Sequence, residues 1–193
     1  MTREESTVLL RKARQGSREA LGELYSRYGT RLLAFIRMRI CGDLRARVDS
    51  RDILQSALLK SFQRIEQFEG DTGATLMGWL MRIAENEIRD QVDYHHRQRR
   101  DADAAVPIDA GGVDLAAQVR SAFSEAVVSE EAERLGAALR ALDPDHRDVI
   151  VLRKLEELSF KEVAARMGRS EDACRMLLAR AMVALTLQLR ATP

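Results

Sequence analysis

An all-α fold of two small helical domains joined by a flexible acidic linker is what this sequence predicts, and three observations predict it. The 193 residues include only 11 Gly and 3 Pro, while Ala, Leu, Arg and Glu abound, a composition that favours helices over turn-dense β architectures. Apolar residues recur at spacings of three and four on both sides of the chain's middle, the period of an amphipathic helix. Residues 101–133 break that pattern with eight acidic side chains against one basic, together with Pro107 and Gly111-Gly112, and read as a linker. The expected boundaries are therefore a first domain at 1–100, a linker at 101–130 and a second domain at 131–193.

In the first domain Ser17 can cap a helix whose apolar stripe is Leu21, Leu24, Tyr25, Tyr28, Leu32 and Phe35 or Ile36. Asp49 can cap the next, with Asp52 in its first turn and Ile53, Leu54, Ala57, Leu58, Phe62 and Ile65 facing inward. A break at Glu69-Gly70-Asp71-Thr72-Gly73 precedes a third helix carrying Leu76, Leu80, Ile83, Ala84 and Ile88 on one face and ending near the basic run His95–Arg100. Three such helices make a small bundle.

In the second domain Asp143-Pro144 is a cap followed by proline in the first helical position. Ser159-Phe160-Lys161-Glu162 is a capping box, in which hydroxyl and carboxylate satisfy the first orphan amides of a short helix. Gly168 suits a left-handed C-terminal position, and Ser170-Glu171-Asp172 opens a further helix with Cys174, Leu178, Ala181 and Leu185 inward. A short helix, a tight turn and a longer helix make a helix-turn-helix, whose second helix is expected in a DNA major groove.

Several function classes are disfavoured. Cys41 and Cys174 stand far apart without ligand-spaced neighbours, so neither a disulfide framework nor a zinc site is expected, and a cytoplasmic location fits. No segment approaches the uncharged run of about 18 residues that a membrane span requires, so membrane insertion is not expected. Without a nucleotide-binding glycine loop, a triad or a metal cluster, neither enzymatic activity, a catalytic residue nor a cofactor is expected. A formal net charge of +1 by itself argues against nucleic acid, but the charge is unevenly placed. Residues 1–48 carry +6, residues 49–100 carry −1, residues 101–133 carry −7 and residues 134–193 carry +3.

Taken together, the blocks Asp49-Ser50-Arg51-Asp52-Ile53-Leu54-Gln55, Leu58–Phe62, Gly78–Asn86, Ala141–Arg153 and Leu158–Gly168 resemble the extracytoplasmic-function sigma factors, the small two-domain promoter-recognition subunits of bacterial RNA polymerase. The resemblance implies a sigma factor that directs promoter-specific initiation and promoter melting through minus-10 and minus-35 recognition. It implies that Asp49, Asp52, Gln55, Ser56 and Lys60 dock on the clamp helices of the polymerase's largest subunit, and that the C-terminal domain holds the flap of the second-largest. Gly70, Asp71, Thr72 and Trp79, with Arg82, Asn86 and Arg89 and the phosphate-binding Arg97, Arg99 and Arg100, would serve the minus-10 element. Arg169, Ser170, Arg175 and Arg180 would serve the minus-35 element. The acidic linker would lie in a channel otherwise used by RNA, and an anti-sigma factor or other inhibitor is an implied partner.

Bland readings stand beside these. A lone Trp79 next to Leu80 and Ile83 is more often core than a base-stacking platform. The adjacent His95 and His96 diverge on a helix and do not form a metal pair. Two features depart from the family pattern. Glu171, Asp172, Met176, Leu177, Ala179, Met182 and Val183 occupy much of the surface on which the second helix would meet DNA. Arg51 and Ser56 stand where family members usually carry acidic residues, which motivates the hypothesis that Ser56 or Ser50 is phosphorylated, restoring negative charge. Two rival functions stay open: a helix-turn-helix regulator acting without a polymerase-subunit role, and a protein-binding adaptor.

Overall fold

The computed structural model describes residues 3–40, 44–45, 47–70, 73–98 and 130–191, and among them every regular element is helical. The elements are α1 (Arg3–Arg14), α2 (Arg18–Arg39), α3 (Ser50–Gln63), α4 (Gly73–Gln98), α5 (Glu130–Arg140), α6 (Pro144–Ile150), α7 (Phe160–Met167) and α8 (Glu171–Ala191). Asp71, Thr72, Arg99, Arg100 and nearly all of the expected linker lie outside the described residues.

The capping chemistry explains most of the boundaries. Ser17 accepts from the Ala20 amide, Asp49 from Arg51 and Asp143 from Asp145, each supplying an oxygen to an amide without a helical partner. Both halves of the Ser159–Glu162 capping box are formed, and α7 stops at Gly168, whose φ of 64° is the left-handed geometry that favours glycine. Two expectations shift. Ile65 lies beyond the end of α3 in a separate 3-10 turn, Ile65–Gln67. The helix opened by Asp143, expected to run through Val149, Ile150 and Leu152, is α-helical only to Ile150 and continues as a π turn, Val151–Leu155.

Helix α2 organises the N-terminal half. Leu24, Tyr28, Leu32, Leu33 and Ile36 are essentially inaccessible, and α2 packs against α1, α3 and α4. The buried Tyr25 hydroxyl lies 2.7 Å from Ser61 Oγ and donates to the Leu58 carbonyl at 3.1 Å, tying α2 to α3. Burial pushes that phenol well above its usual titration range. In the C-terminal half α6, α7 and α8 close around Val149, Ile150, Val163, Cys174, Ala181 and Leu185.

The two halves pack on one another, chiefly α2 against α5. The approach is close enough that a Cβ on Gly136 would stand 2.8 Å from Arg37 Cβ, so α5 needs glycine at the crossing. Arg31 of α2 crosses to the π-turn exit, where its guanidinium reaches Glu157 at 2.6 Å.

Candidate nucleic-acid interface

Three surfaces carry the residues singled out from the sequence. The first is the outer face of α3. Asp49 and Asp52 are exposed and Gln55 and Ser56 half-buried, so the four form a polar strip beside the inward Ile53, Leu54, Ala57 and Leu58. Lys60 is engaged within the fold: its ammonium pairs with Glu87 and, at 3.6 Å, with Asp90 of α4. Ser50 accepts from Arg37 Nε at 3.2 Å.

The second surface runs from the loop after the 3-10 turn onto α4. Gly70 is held through its carbonyl, which accepts from Arg14 at 2.5 Å, and Arg14 also donates to the Phe68 carbonyl. The same guanidinium lies 5.2 Å from the centre of the Phe68 ring. Phe68 in turn packs against Trp79 with ring centres 5.0 Å apart. Trp79 is thus half-buried against the core, one face committed to Phe68. Arg82, Asn86 and Arg89 project on the exposed side of α4, with Arg89 donating to Asn86 at 3.3 Å. Arg97 belongs to the last turns of α4, and its side chain lies outside the described set.

Arg14 has no counterpart in the sequence reading. Its signal is a basic residue at the end of α1, a helix whose core contact rests on a short apolar run, chiefly Leu10 and Ala13.

Arg82 also faces the cleft between the halves. Phe35, Arg39, Arg82 and Glu85 line it from one side, Glu156 and Arg166 from the other, around about 660 Å³. Glu156 is buried and pairs with Arg166 at 2.9 Å. Burial raises its carboxyl above the usual 4.5 even though Arg166 and Arg82 pull it down. The folded chain therefore holds this proton more tightly than the unfolded chain, and that contribution to stability is complete below about 4.5 and lost as pH rises through the folded value. Glu156→Gln, which cannot ionise, is expected to gain stability relative to the parent between pH 4.5 and 7.5 in urea unfolding.

The third surface is α8. Ser170 accepts from the Ala173 amide at 3.2 Å and acts as a cap. Arg169 pairs with Asp145 at 2.5 Å. Arg175 reaches Glu171 at 3.0 Å and Asp172 at 2.8 Å and stacks over Phe160 at 4.9 Å. Arg180 is exposed with no ion pair among the described residues. Around it Met176, Met182, Val183 and Leu187 form an exposed apolar strip.

The order of these surfaces has a counterpart in known proteins. Residues 24–100 match the family model of sigma-70 region 2, and residues 132–185 that of sigma-70 region 4. The chain belongs to the sigma-70 family. The RNA polymerase sigma factor CarQ of Myxococcus xanthus is 31% identical over 86% of this chain and 87% of its own length. The sigma-E factor of Escherichia coli K12, an extracytoplasmic-function sigma factor, is 27% identical over 92% of this chain and 91% of its own. Among solved structures, that of CnrH in complex with the cytosolic domain of CnrY aligns over 98% of this chain and 99% of that one, with 25% identity and a TM-score of 0.50. In this sigma factor the region 2 match falls on α2–α4 and the region 4 match on α5–α8. No described helix is long and apolar enough to cross a membrane.

Proposed function

We propose that this sigma factor acts in the cytoplasm, without catalysis of its own, by binding core RNA polymerase through the polar strip of α3 and opening promoters through α4. The observation that carries this is the match of regions 2 and 4, in order, on one chain. Asp49, Asp52, Gln55 and Ser56 form the polymerase-facing strip, and Lys60 supports it by fixing α3 to α4. Gly70 and its loop neighbours Asp71 and Thr72 receive an unstacked base beside Arg82, Asn86 and Arg89, with Arg97, Arg99 and Arg100 on upstream phosphates. Arg180, with Arg169 and Arg175 once released from their carboxylates, serves the minus-35 duplex. Because Arg82 faces a cleft closed by Glu156 and Arg166, engagement of DNA requires the two halves to separate. An inhibitor that holds them together is the expected regulatory partner, as CnrH is bound by the cytosolic domain of CnrY.

Run-off transcription with purified core polymerase and fragmented genomic DNA tests the proposal. Discrete transcripts that depend on this chain are expected. Tight duplex binding by the chain alone, with no such transcripts, would instead identify a free-standing regulator.

A further inference from the structure

Where α2 ends and α3 begins, opposite α5, lies a cavity of about 490 Å³ lined by Arg37, Arg45, Arg47, Arg51 and Arg140. Its volume falls within the range of small-molecule sites. Among the described residues, five guanidiniums face two carboxylates there, Asp49 and Glu133. Glu133 is shared: it pairs with Arg45, with Arg37 at 3.3 Å and, more distantly, with Arg140 at 3.9 Å. Arg140 also donates to the Arg37 carbonyl. Arg37 is only 8% exposed, and its Nη1 is buried without a hydrogen-bond partner. Burial and the nearby charges of Arg51 and Arg45 make its guanidinium less basic than usual. A buried cationic donor left unsatisfied, surrounded by further cations, is costly unless an anion completes the site. The N-terminus of α3 opens on the same cavity, with Ser50 and Arg51 in its first turn, and adds the positive end of the helix dipole.

We propose that this cavity binds a small phosphate-bearing anion. A phosphate offers several acceptor oxygens to guanidiniums arranged around it, the geometry in which arginine forms its strongest hydrogen bonds. Glu133 is the internal anion that such a ligand displaces, and because Glu133 belongs to α5 while four of the five arginines belong to the N-terminal half, ligand binding loosens one tie between the halves.

Calorimetric titration of the full-length chain with inorganic pyrophosphate, at constant ionic strength, tests this. Saturable one-to-one binding is expected. Arg45→Gln, at a partly exposed position, and Arg140→Gln are each expected to weaken it at least about fivefold, whereas Glu133→Gln is expected to tighten it by removing the internal competitor. Arg11→Gln, outside the cavity, should leave it unchanged. Circular dichroism reports whether each variant folds; should Arg140→Gln unfold, Arg45→Gln and Glu133→Gln decide. Absence of saturable binding, indifference to Arg45→Gln, or weaker binding by Glu133→Gln overturns the proposal. So does loss of binding to one equivalent of promoter-free duplex, which would make the cavity part of a DNA-backbone contact. None of these outcomes depends on transcription, so the site can fail while the sigma-factor reading stands.

Discussion

Replacing Glu171 and Asp172 by their amides is expected to raise the affinity of the chain for minus-35 duplex about tenfold, and to steepen its salt dependence by about one phosphate contact. The reason is the occupancy of Arg175. Glu171 and Asp172 take the two terminal nitrogens of its guanidinium, at 3.0 and 2.8 Å, and the Phe160 ring lies against its plane. As folded, Arg175 sits in a cluster of net charge −1 with Glu171 and Asp172, and the two carboxylates at the start of α8 repel phosphate. The amide pair removes both effects together. The cost to the fold is small, since exposed pairs within a helix contribute only about 0.3–0.5 kcal/mol, and acidic residues at a helix N-terminus about 0.3–1 kcal/mol each. Arg175→Ala in the parent chain is expected to change affinity less than twofold, whereas Arg180→Ala, at an arginine with no such pair, weakens it uniformly across sequences. Fluorescence anisotropy at several salt concentrations reads all three, and unchanged affinity and slope in the amide variant would show that Arg175 does not face DNA.

The contrast between Arg175 and Arg180 also marks where sequence reading stopped. What lies within four residues was legible. The caps at Ser17, Asp49 and Asp143, the capping box at Ser159 and the turn at Gly168 depend on local backbone geometry, and each formed as its residues dictate. The carboxylates beside Arg175 were visible too, at spacings of three and four, and were read as a weakness of DNA contact without the ion pairs that cause it. What depends on the meeting of distant elements was not legible. That Lys60 pairs with Glu87 and Asp90 depends on α4 packing beside α3. That Arg82 shares a cleft with Glu156 and Arg166 depends on the packing of the two halves. Four of the five cavity arginines, Arg37, Arg45, Arg47 and Arg51, fall within residues 37–51, but only the fold turns them toward one cavity and brings Arg140 of α5 to it. Trp79 was legible as a core residue from Leu80 and Ile83 beside it, but not its ring partner Phe68, eleven residues earlier and across a turn.

The largest functional loss is expected from Arg14→Ala, a residue far from any expected DNA ligand in sequence. Its guanidinium holds two successive parts of one loop, the Phe68 and Gly70 carbonyls, and covers the Phe68 ring that supports Trp79. Hydrogen bonds from a charged donor contribute about 1.5–3 kcal/mol each, and the cation–ring contact about 0.5–1 kcal/mol. Part of this is recovered as the freed carbonyls hydrate, so a net loss of roughly 2–3 kcal/mol is expected, and with it a fall in Tm of about 4–12 °C for a chain of this size. The functional consequence is selective. The α3 strip does not touch Arg14, so affinity for core polymerase should be nearly unchanged. With the loop at Gly70 in its proposed role of receiving a base, promoter opening should fall about tenfold. Permanganate reactivity of unpaired minus-10 thymines measures the second quantity and a core-binding assay the first. Arg14→Lys sharpens the distinction: both carbonyls accept from one terminal nitrogen, Nη2, and an ammonium keeps the charge but ends a bond short of that position and lacks the plane that covers the Phe68 ring; it should restore much of the stability and little of the opening. Equal losses of core binding and opening in Arg14→Ala would instead mean that the loop and the polymerase-facing strip unfold as one unit.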